Sequence, residues 1–384
     1  MSYKKCKCGP NLYILKYIYT KVIIKTFYTD IIVYFRINYS QFHFIWPWIF
    51  SYSFGYSIWA LHIEFLMTYL LSGIGMYQFL SIWYHDKKLI LIGSISFMLS
   101  GAMIAHAQHL SIVFSMMCFP WLLYGIYRVI IDSRRKHILL IGIMANWALT
   151  GGYPGINFII FYVCILYIIY LFYQKRSLKG IFAIIGGGTL FFALSIPYLY
   201  SLHIHMDQIG RTDPITLEKA LGNPLSPICF FSFFQPGFII SESSLFNTDL
   251  SMRNIYLGVL SIPLCIYSLF YIRQSRVWVI IIMMVIFASF SVGGSFYTRE
   301  LLYHHIPLMN YSKYSSLFRF FMLFGIILIM MESLNHICHN ASWNRLTKIL
   351  KIYPWIYLGA MGLCFVYLIS DTSNLHRFIE ISVI

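Results

Sequence analysis

The sequence has few charged residues, and acidic ones are scarcest. Lys, Arg, Asp and Glu make up 11% of its 384 residues, and only 13 residues are Asp or Glu. A soluble globular domain carries about 25% charged residues. This shortage, together with a hydrophobic fraction of 59%, argues against a soluble domain. It predicts an integral membrane protein that crosses the bilayer many times.

The sequence also lacks paired metal-ligand motifs. Most of its eight Cys fall in apolar segments, where Cys behaves as a small hydrophobic residue. Only Cys6 and Cys8 have the spacing of a ligand pair, and no second pair completes a zinc site. No Asp-x-Asp pair is present. The sequence therefore assigns no certain cofactor and leaves a divalent metal open.

Apolar segments recur along the whole sequence. Ten of them predict spans at about 57–83, 88–105, 110–131, 138–150, 155–173, 180–202, 255–272, 277–292, 317–334 and 353–370. An eleventh, weaker segment at 11–29 is interrupted by Lys16, Lys21 and Lys25. We therefore expect an all-α polytopic bundle of ten or eleven spans that forms a single transmembrane domain over residues 1–384.

Basic residues cluster in short loops between these segments. The basic loops are 85–88, 132–137, 174–179, 273–276 and 335–352. The positive-inside rule places such loops in the cytoplasm. The external segments are then 30–56, 106–109, 150–155, 203–254, 293–316 and the tail from 371. The net charge of +15 is thus assigned to loops that face anionic membrane lipids, and not to nucleic acid.

The acidic residues divide unequally between the two sides. Three lie at the inner surface and are expected to pair with neighbouring basic side chains: Asp86, Asp132 and Glu332. The other ten face outside or lie in the outer part of a span, so external chemistry has most of the carboxylates. Glu64 lies about two turns into its predicted helix. It is either functional or hydrogen-bonded to His62 or to a neighbouring helix.

Histidines mark two further places of interest. His106 and His109 flank the break between two predicted spans, where helix capping is favoured over a metal site because no third ligand is near. A second cluster lies just outside a span and comprises His304, His305, Lys313 and Arg319. This cluster fits either a phosphate site or an interfacial belt of basic and aromatic residues.

Six stretches carry turn and loop motifs in a fixed order. They are HFIWPWIFSYSFGYSIWA (43–60), LSGAMIAHAQHLSIVFSMMCFPWLLYGIYR (99–128), ALTGGYPGINF (148–158), SIPYLYSLHIHMDQIGR (195–211), NIYLGVLSIPL (254–264) and IPLMNYSKYSSLFRFFMLF (306–324). Their order resembles that of the bacterial YfhO-type membrane proteins, which belong to the broad GT-C class of polytopic glycosyltransferases. Tyr153 stands where the family usually has His.

The resemblance implies an enzyme of the bacterial cytoplasmic membrane. Such an enzyme transfers a sugar from a polyprenyl-phosphate donor to a cell-envelope acceptor on the external face. The reaction needs a general base for the acceptor hydroxyl and positive groups for the departing phosphate. The family places the base, a carboxylate, in the first external loop. Asp30 is the only acid in residues 30–56 and is therefore the expected catalytic base.

The resemblance also implies a set of substrate-binding residues. Arg211 and Arg319 match family arginines and are expected to contact phosphate. Asp207 and Asp213 flank Arg211 and would orient it or the acceptor. The set is completed by Lys313, His109 and Glu64.

Two features depart from the family. The predicted first span contains three Lys, and family members are commonly longer, with an external β-rich domain that these 384 residues do not include. We therefore expect a short or truncated member. Two other functions stay open. One is a transporter or flippase of lipid-linked substrates, which would use Glu64 and the glycine-rich segment 184–192. The other is a non-catalytic family member.

Overall fold

A computed structural model of the chain describes residues 58–205, 213–240, 246, 248–340 and 342–370. The first seven helices in these segments are α1 (Ile58–Leu80), α2 (Lys87–Met98), α3 (Gly101–Ala105), α4 (Leu110–Ile130), α5 (His137–Gly151), α6 (Pro154–Lys175) and α7 (Leu178–Ile204). The helices that follow are α8 (Leu217–Leu221), α9 (Ser261–Tyr271), α10 (Ser275–Ser291), α11 (Thr298–His305), α12 (Arg319–His339) and α13 (Trp343–Ser370). Short 3₁₀ turns connect them at Pro227–Phe233, Pro236–Ile240, Leu250–Met252, Gly293–Ser295 and Ser315–Phe318.

In the described part of the chain, six helical segments are long and apolar enough to cross a membrane: Trp59–Leu80, Lys87–Ala105, Leu110–Ile130, Pro154–Lys175, Leu178–Ile204 and Ser315–His339. Helices α5, α9 and α10 are apolar but shorter. A helix satisfies all its backbone polar groups internally, which a lipid environment demands. The chain is therefore a helical membrane protein, as the composition predicts. Six of the ten predicted spans correspond to these six segments. The predicted eleventh span at 11–29 lies outside the described residues.

Two predicted span boundaries are wrong. The span predicted at 88–105 corresponds to Lys87–Ala105, with a break at Leu99 and Ser100 that separates α2 from α3. The span at 255–272 begins only at Ser261, because Gly258 has a φ of +96° that a continuing helix does not allow. The last helix starts at Trp343, about ten residues before the predicted start, and it includes Pro354 within its length.

Helix α12 is the most enclosed of the six long segments, with 94% of its apolar window buried. Its sequence is apolar on all sides, which is typical of a helix at the centre of a bundle. Phe119 of α4 packs against it, with ring centroids 5.7 Å from Phe320, 5.2 Å from Phe321 and 4.9 Å from Phe324. Helix α12 therefore connects the two ends of the bundle, with Arg319 at one end and Glu332 near the other.

The inner acids follow the prediction in two cases and differ in one. Glu332 forms a salt bridge with Arg276, and Asp132 forms one with Arg128. Asp86 instead caps helix α2, because its carboxylate accepts a hydrogen bond of 2.8 Å from the backbone N–H of Lys88. This cap satisfies one of the unpaired donors at the helix start.

Candidate functional site

Arg319, the first residue of α12, is fully buried, and its guanidinium joins separate segments of the chain. Nη2 donates to the carbonyl of Ser251 at 2.5 Å, and Nε donates to the carbonyl of Asn254 at 3.2 Å. Nη1 donates to the carbonyl of Ser316 at 3.1 Å, and Nη2 also lies 3.2 Å from Nδ1 of His106. Arg319 therefore fixes the loop before α9 against the α3–α4 turn at the predicted external end, which we call the outer end.

His106 and His109 both lie at helix ends, as predicted. His106 is the residue after α3 and His109 the residue before α4. The His106 ring is buried, with Nδ1 also 2.9 Å from the carbonyl of Ala102. Burial, reinforced by the charge of Arg319, lowers the pKa of His106 to about 3. The imidazole is therefore neutral near pH 7 and carries one N–H. Depending on the tautomer, Nδ1 either donates to the carbonyl of Ala102 or accepts from Arg319.

Asp249 supplies an exposed carboxylate next to this cluster. Its Oδ1 accepts hydrogen bonds from the Ser251 hydroxyl at 2.5 Å and from the Ser251 N–H at 2.9 Å. These bonds, with the nearby charges of His109 and Arg253, hold the pKa of Asp249 below its usual range. Asp249 is not among the site residues predicted from the sequence, although residues 249–251 have the Asp-x-Ser spacing of a turn cap.

A cavity of about 320 Å³ lies beside these residues. It is lined by Ala105, Ala107, Gln108, Ile239, Leu250, Ser251 and Asn254. Six of these seven residues come from the two segments that Arg319 joins, and Ile239 comes from the 3₁₀ turn Pro236–Ile240. The side-chain amides of Gln108 and Asn254 give the cavity hydrogen-bonding groups, and Asp249 adjoins it in the chain.

Of the arginines that the structure describes, three are buried: Arg253, Arg299 and Arg319. Arg253 donates to the carbonyl of Thr248 at 2.7 Å, and Arg299 donates to the carbonyl of Ser312 at 2.7 Å. Burial lowers the pKa of Arg299 to about 10, so it remains charged at neutral pH. Within the described segments neither Arg299 nor Arg319 forms a salt bridge. Their charges therefore contribute a positive potential to the outer end.

Four of the six motif stretches contact one another at the outer end: 99–128, 148–158, 254–264 and 306–324. The N–H of Gly101 donates to the carbonyl of Tyr256 at 2.8 Å. The hydroxyl of Ser312 donates to the carbonyl of Gly155 at 3.0 Å. With the Arg319 contacts, these bonds join segments that are far apart in the sequence into one structural unit.

No known family, no curated protein and no solved structure matches the chain. The resemblance to YfhO-type proteins therefore rests on the sequence stretches themselves.

The basic residues of 301–321 have separate partners. Lys313 places its Nζ 4.5 Å from the centre of the Tyr314 ring. His304 lies 3.9 Å from the carboxylate of Glu300. Arg319 is buried against the loop before α9 instead. The described contacts of Lys313 and His304 fit the interfacial belt of basic and aromatic residues better than a single phosphate site.

The remaining predicted site residues are not brought together in the described structure. Asp213 is exposed at the start of the segment 213–240, and Glu64 is buried within α1 with 8% of its surface exposed. Asp30, Asp207 and Arg211 lie outside the described residues. Among the residues that are described, no group of three His, Cys, Asp or Glu side chains could hold a metal ion.

Proposed function

We propose that the protein is a glycosyltransferase-like enzyme of the bacterial cytoplasmic membrane. It moves a sugar from a polyprenyl-phosphate donor to a cell-envelope acceptor on the external face. The supporting observation is the contact among four motif stretches around Arg319, beside a cavity of about 320 Å³. A carboxylate and buried cations adjoin that cavity, and glycosyl transfer needs both a base and positive charge.

The proposed reaction is a displacement at the anomeric carbon of the donor sugar. The acceptor hydroxyl oxygen forms a bond to this carbon, and the bond from the carbon to the donor phosphate oxygen breaks. The hydroxyl proton passes to a carboxylate, and the lipid phosphate leaves with its electron pair. Asp30 is the proposed base. Asp249, a carboxylate whose pKa is held below its usual range by hydrogen bonds from Ser251, is proposed to orient the acceptor hydroxyl.

Positive charge at the outer end stabilises the departing phosphate in this proposal. Arg319 acts through its electrostatic field, because the described hydrogen bonds of its guanidinium go to protein acceptors. Arg211 is proposed to contact the phosphate directly. Lys313, whose described contact is with the Tyr314 ring, adds positive charge at the same end. Asp207, Asp213, His109 and Glu64 remain the proposed groups for orienting donor and acceptor.

The test uses the purified full chain in lipid nanodiscs with a panel of radiolabelled polyprenyl-phosphate sugars. Disappearance of the labelled donor, together with release of polyprenyl phosphate, is the expected result. Asp30→Asn is expected to lower the rate by at least 100-fold, since general bases contribute about 10²–10⁴-fold. Glu218→Gln is the matched control, because Glu218 is an exposed external acid that is not assigned to the site.

Two results would overturn parts of the proposal. Full activity of Asp30→Asn would remove Asp30 as the base, and Asp249→Asn would then be measured in its place. If no donor is consumed but the labelled lipid moves between leaflets, transport of lipid-linked substrates would take the place of sugar transfer as the proposed function.

A further inference from the structure

A second cavity lies inside the bundle, away from the outer end. It measures about 630 Å³ and is lined by α1, α4, α6, α10 and α12. Its walls are mainly aromatic and aliphatic, with Phe119, Phe287 and Phe324 at one end. Tyr84, Gln174, Arg276 and Glu332 line the other end. The cavity therefore has an apolar interior and a polar mouth at the end that the basic loops mark as cytoplasmic.

The depth of this cavity matches one leaflet of a bilayer. Its lining runs along α6 from Gln174 to Val163 and along α12 from Glu332 to Phe321. Each of these walls is about 17 Å long at about 1.5 Å per residue. Half of a hydrocarbon core of about 30 Å is about 15 Å. The cavity thus reaches from the inner surface to about the midplane.

The cavity is open toward the lipid. Leu166 of α6 and Val279 of α10 both line it, and they are 53% and 51% exposed. Both helices are apolar, so in a membrane these exposed side chains would face the surrounding lipid or the opening between the two helices. A hydrocarbon chain can therefore enter sideways from the inner leaflet.

Basic side chains outnumber acidic ones around the mouth. Arg276 lies at the cavity wall with its side chain 36% exposed, although it also pairs with Glu332. Its guanidinium carbon is 5.7 Å from the centre of the Trp83 ring. Exposed basic residues adjoin the lining residues in the chain: Lys175, Arg176 and Arg273. Arg binds phosphate through a fork of donors, so the mouth suits an anionic headgroup.

We propose that this cavity binds one acyl chain of an anionic phospholipid from the cytoplasmic leaflet, with the phosphate at Arg276. A volume of about 630 Å³ holds about twenty methylene-sized groups, if each takes about 30 Å³ as a water molecule does. That is the size of one acyl chain. A polyprenyl chain is much longer than one leaflet is deep. The proposal does not depend on the proposed sugar transfer at the outer end.

Native mass spectrometry of the purified full chain tests this site. The probes are phosphatidylglycerol, phosphatidylcholine with the same acyl chains, and polyprenyl phosphate. We expect one phosphatidylglycerol molecule to remain bound to the protein, at an occupancy at least fivefold higher than that of phosphatidylcholine. Val163→Trp fills the cavity and should lower this retention at least threefold. Ile169→Trp is the matched control on the same helix, because Ile169 is 58% exposed and does not line the cavity.

The headgroup contact is tested separately. Replacing Arg276 alone leaves the buried Glu332 without its partner, so the double variant Arg276→Gln/Glu332→Gln is also measured. The double variant should retain the two phospholipids equally. Lys348→Gln, at an exposed basic residue of 335–352 that does not line the cavity, should keep the preference for phosphatidylglycerol. Equal retention by Val163→Trp and the unaltered protein would overturn the proposal. So would a preference for polyprenyl phosphate, or no preference for phosphatidylglycerol over phosphatidylcholine in the unaltered protein.

Discussion

Arg319 Nη2 lies 3.2 Å from His106 Nδ1, although the two residues are 213 positions apart in the chain. Both are fully buried at the outer end. The charged guanidinium is met by backbone carbonyls and by a neutral imidazole. Such an arrangement stabilises a loop conformation only while every polar partner remains in place. The contribution of these contacts to the free energy of unfolding can be measured.

Arg319→Lys should destabilise the protein by roughly 2–5 kcal/mol. A Lys ammonium cannot reach the carbonyls of Ser251, Asn254 and Ser316 together, and an unsatisfied buried polar group costs about 1–3 kcal/mol. The measurement is thermal unfolding in detergent followed by tryptophan fluorescence. Lys219→Gln, an exposed change at the same end, should stay within about 0.5 kcal/mol. A melting temperature for Arg319→Lys equal to that of the control would mean that these hydrogen bonds contribute little.

His106 should make the protein less stable in mild acid. Its pKa is about 3 in the folded protein and 6.5 for an ordinary His. Between these values the unfolded chain binds a proton that the folded chain does not, so stability falls as the pH decreases from about 6.5. Melting temperatures recorded from pH 7.5 to pH 4.5 should fall more steeply for the unaltered protein than for His106→Asn. Parallel curves would exclude His106 as the titrating group.

Gly101→Ala should separate α3 from the loop before α9. A Cβ at Gly101 would lie 2.3 Å from Oδ1 of Asn254 and 2.8 Å from the backbone nitrogen of Tyr256. Overpacking of this kind costs about 1–3 kcal/mol, and melting temperature in detergent again measures it. Gly188→Ala is the matched control, since a Cβ there meets nothing within 4 Å. It should be neutral or stabilising by up to about 1 kcal/mol. Equal effects of the two changes would contradict the close approach.

Replacing Arg276 alone should lower the free energy of unfolding more than replacing both Arg276 and Glu332. Glu332 is 5% exposed, so Arg276→Met leaves a buried carboxylate uncompensated, at a cost of roughly 3 kcal/mol. Arg276→Met/Glu332→Leu should recover most of that loss, because an apolar pair needs no compensating charge. A double-mutant cycle by thermal unfolding measures the coupling. A double variant as unstable as the single one would show that Glu332 does not need its partner.

Sequence reasoning identified the inner ion pairs because only a few carboxylates are available and their basic neighbours are close. Arg128 and Asp132 are four residues apart on one helix, so local geometry is enough to pair them. Glu332 required a partner from another helix, and the sequence indicated only that some basic residue would supply it. The capping role of Asp86 was missed because a loop carboxylate followed by Lys fits an ion pair equally well.

At the outer end the sequence indicated several residues without relating them to one another. Arg319 and His109 were assigned to substrate binding through the family resemblance. Nothing in residues 99–109 shows that His106 contacts α12, because that contact depends on how α2, α4 and α12 pack. Asp249 was one of ten external acids and became a candidate only when its loop was seen to carry Ser251 and Asn254 to Arg319.

By itself, the sequence determined that this is a helical membrane protein, and roughly where its helices lie. Both follow from local properties: the length of each apolar run and the need of every backbone group for a partner within it. Only the tertiary structure decided that Arg319 is enclosed by protein and that a cavity one leaflet deep ends at Arg276. Those features depend on side chains from helices far apart in the chain, and their mutual positions are set by packing across the whole bundle.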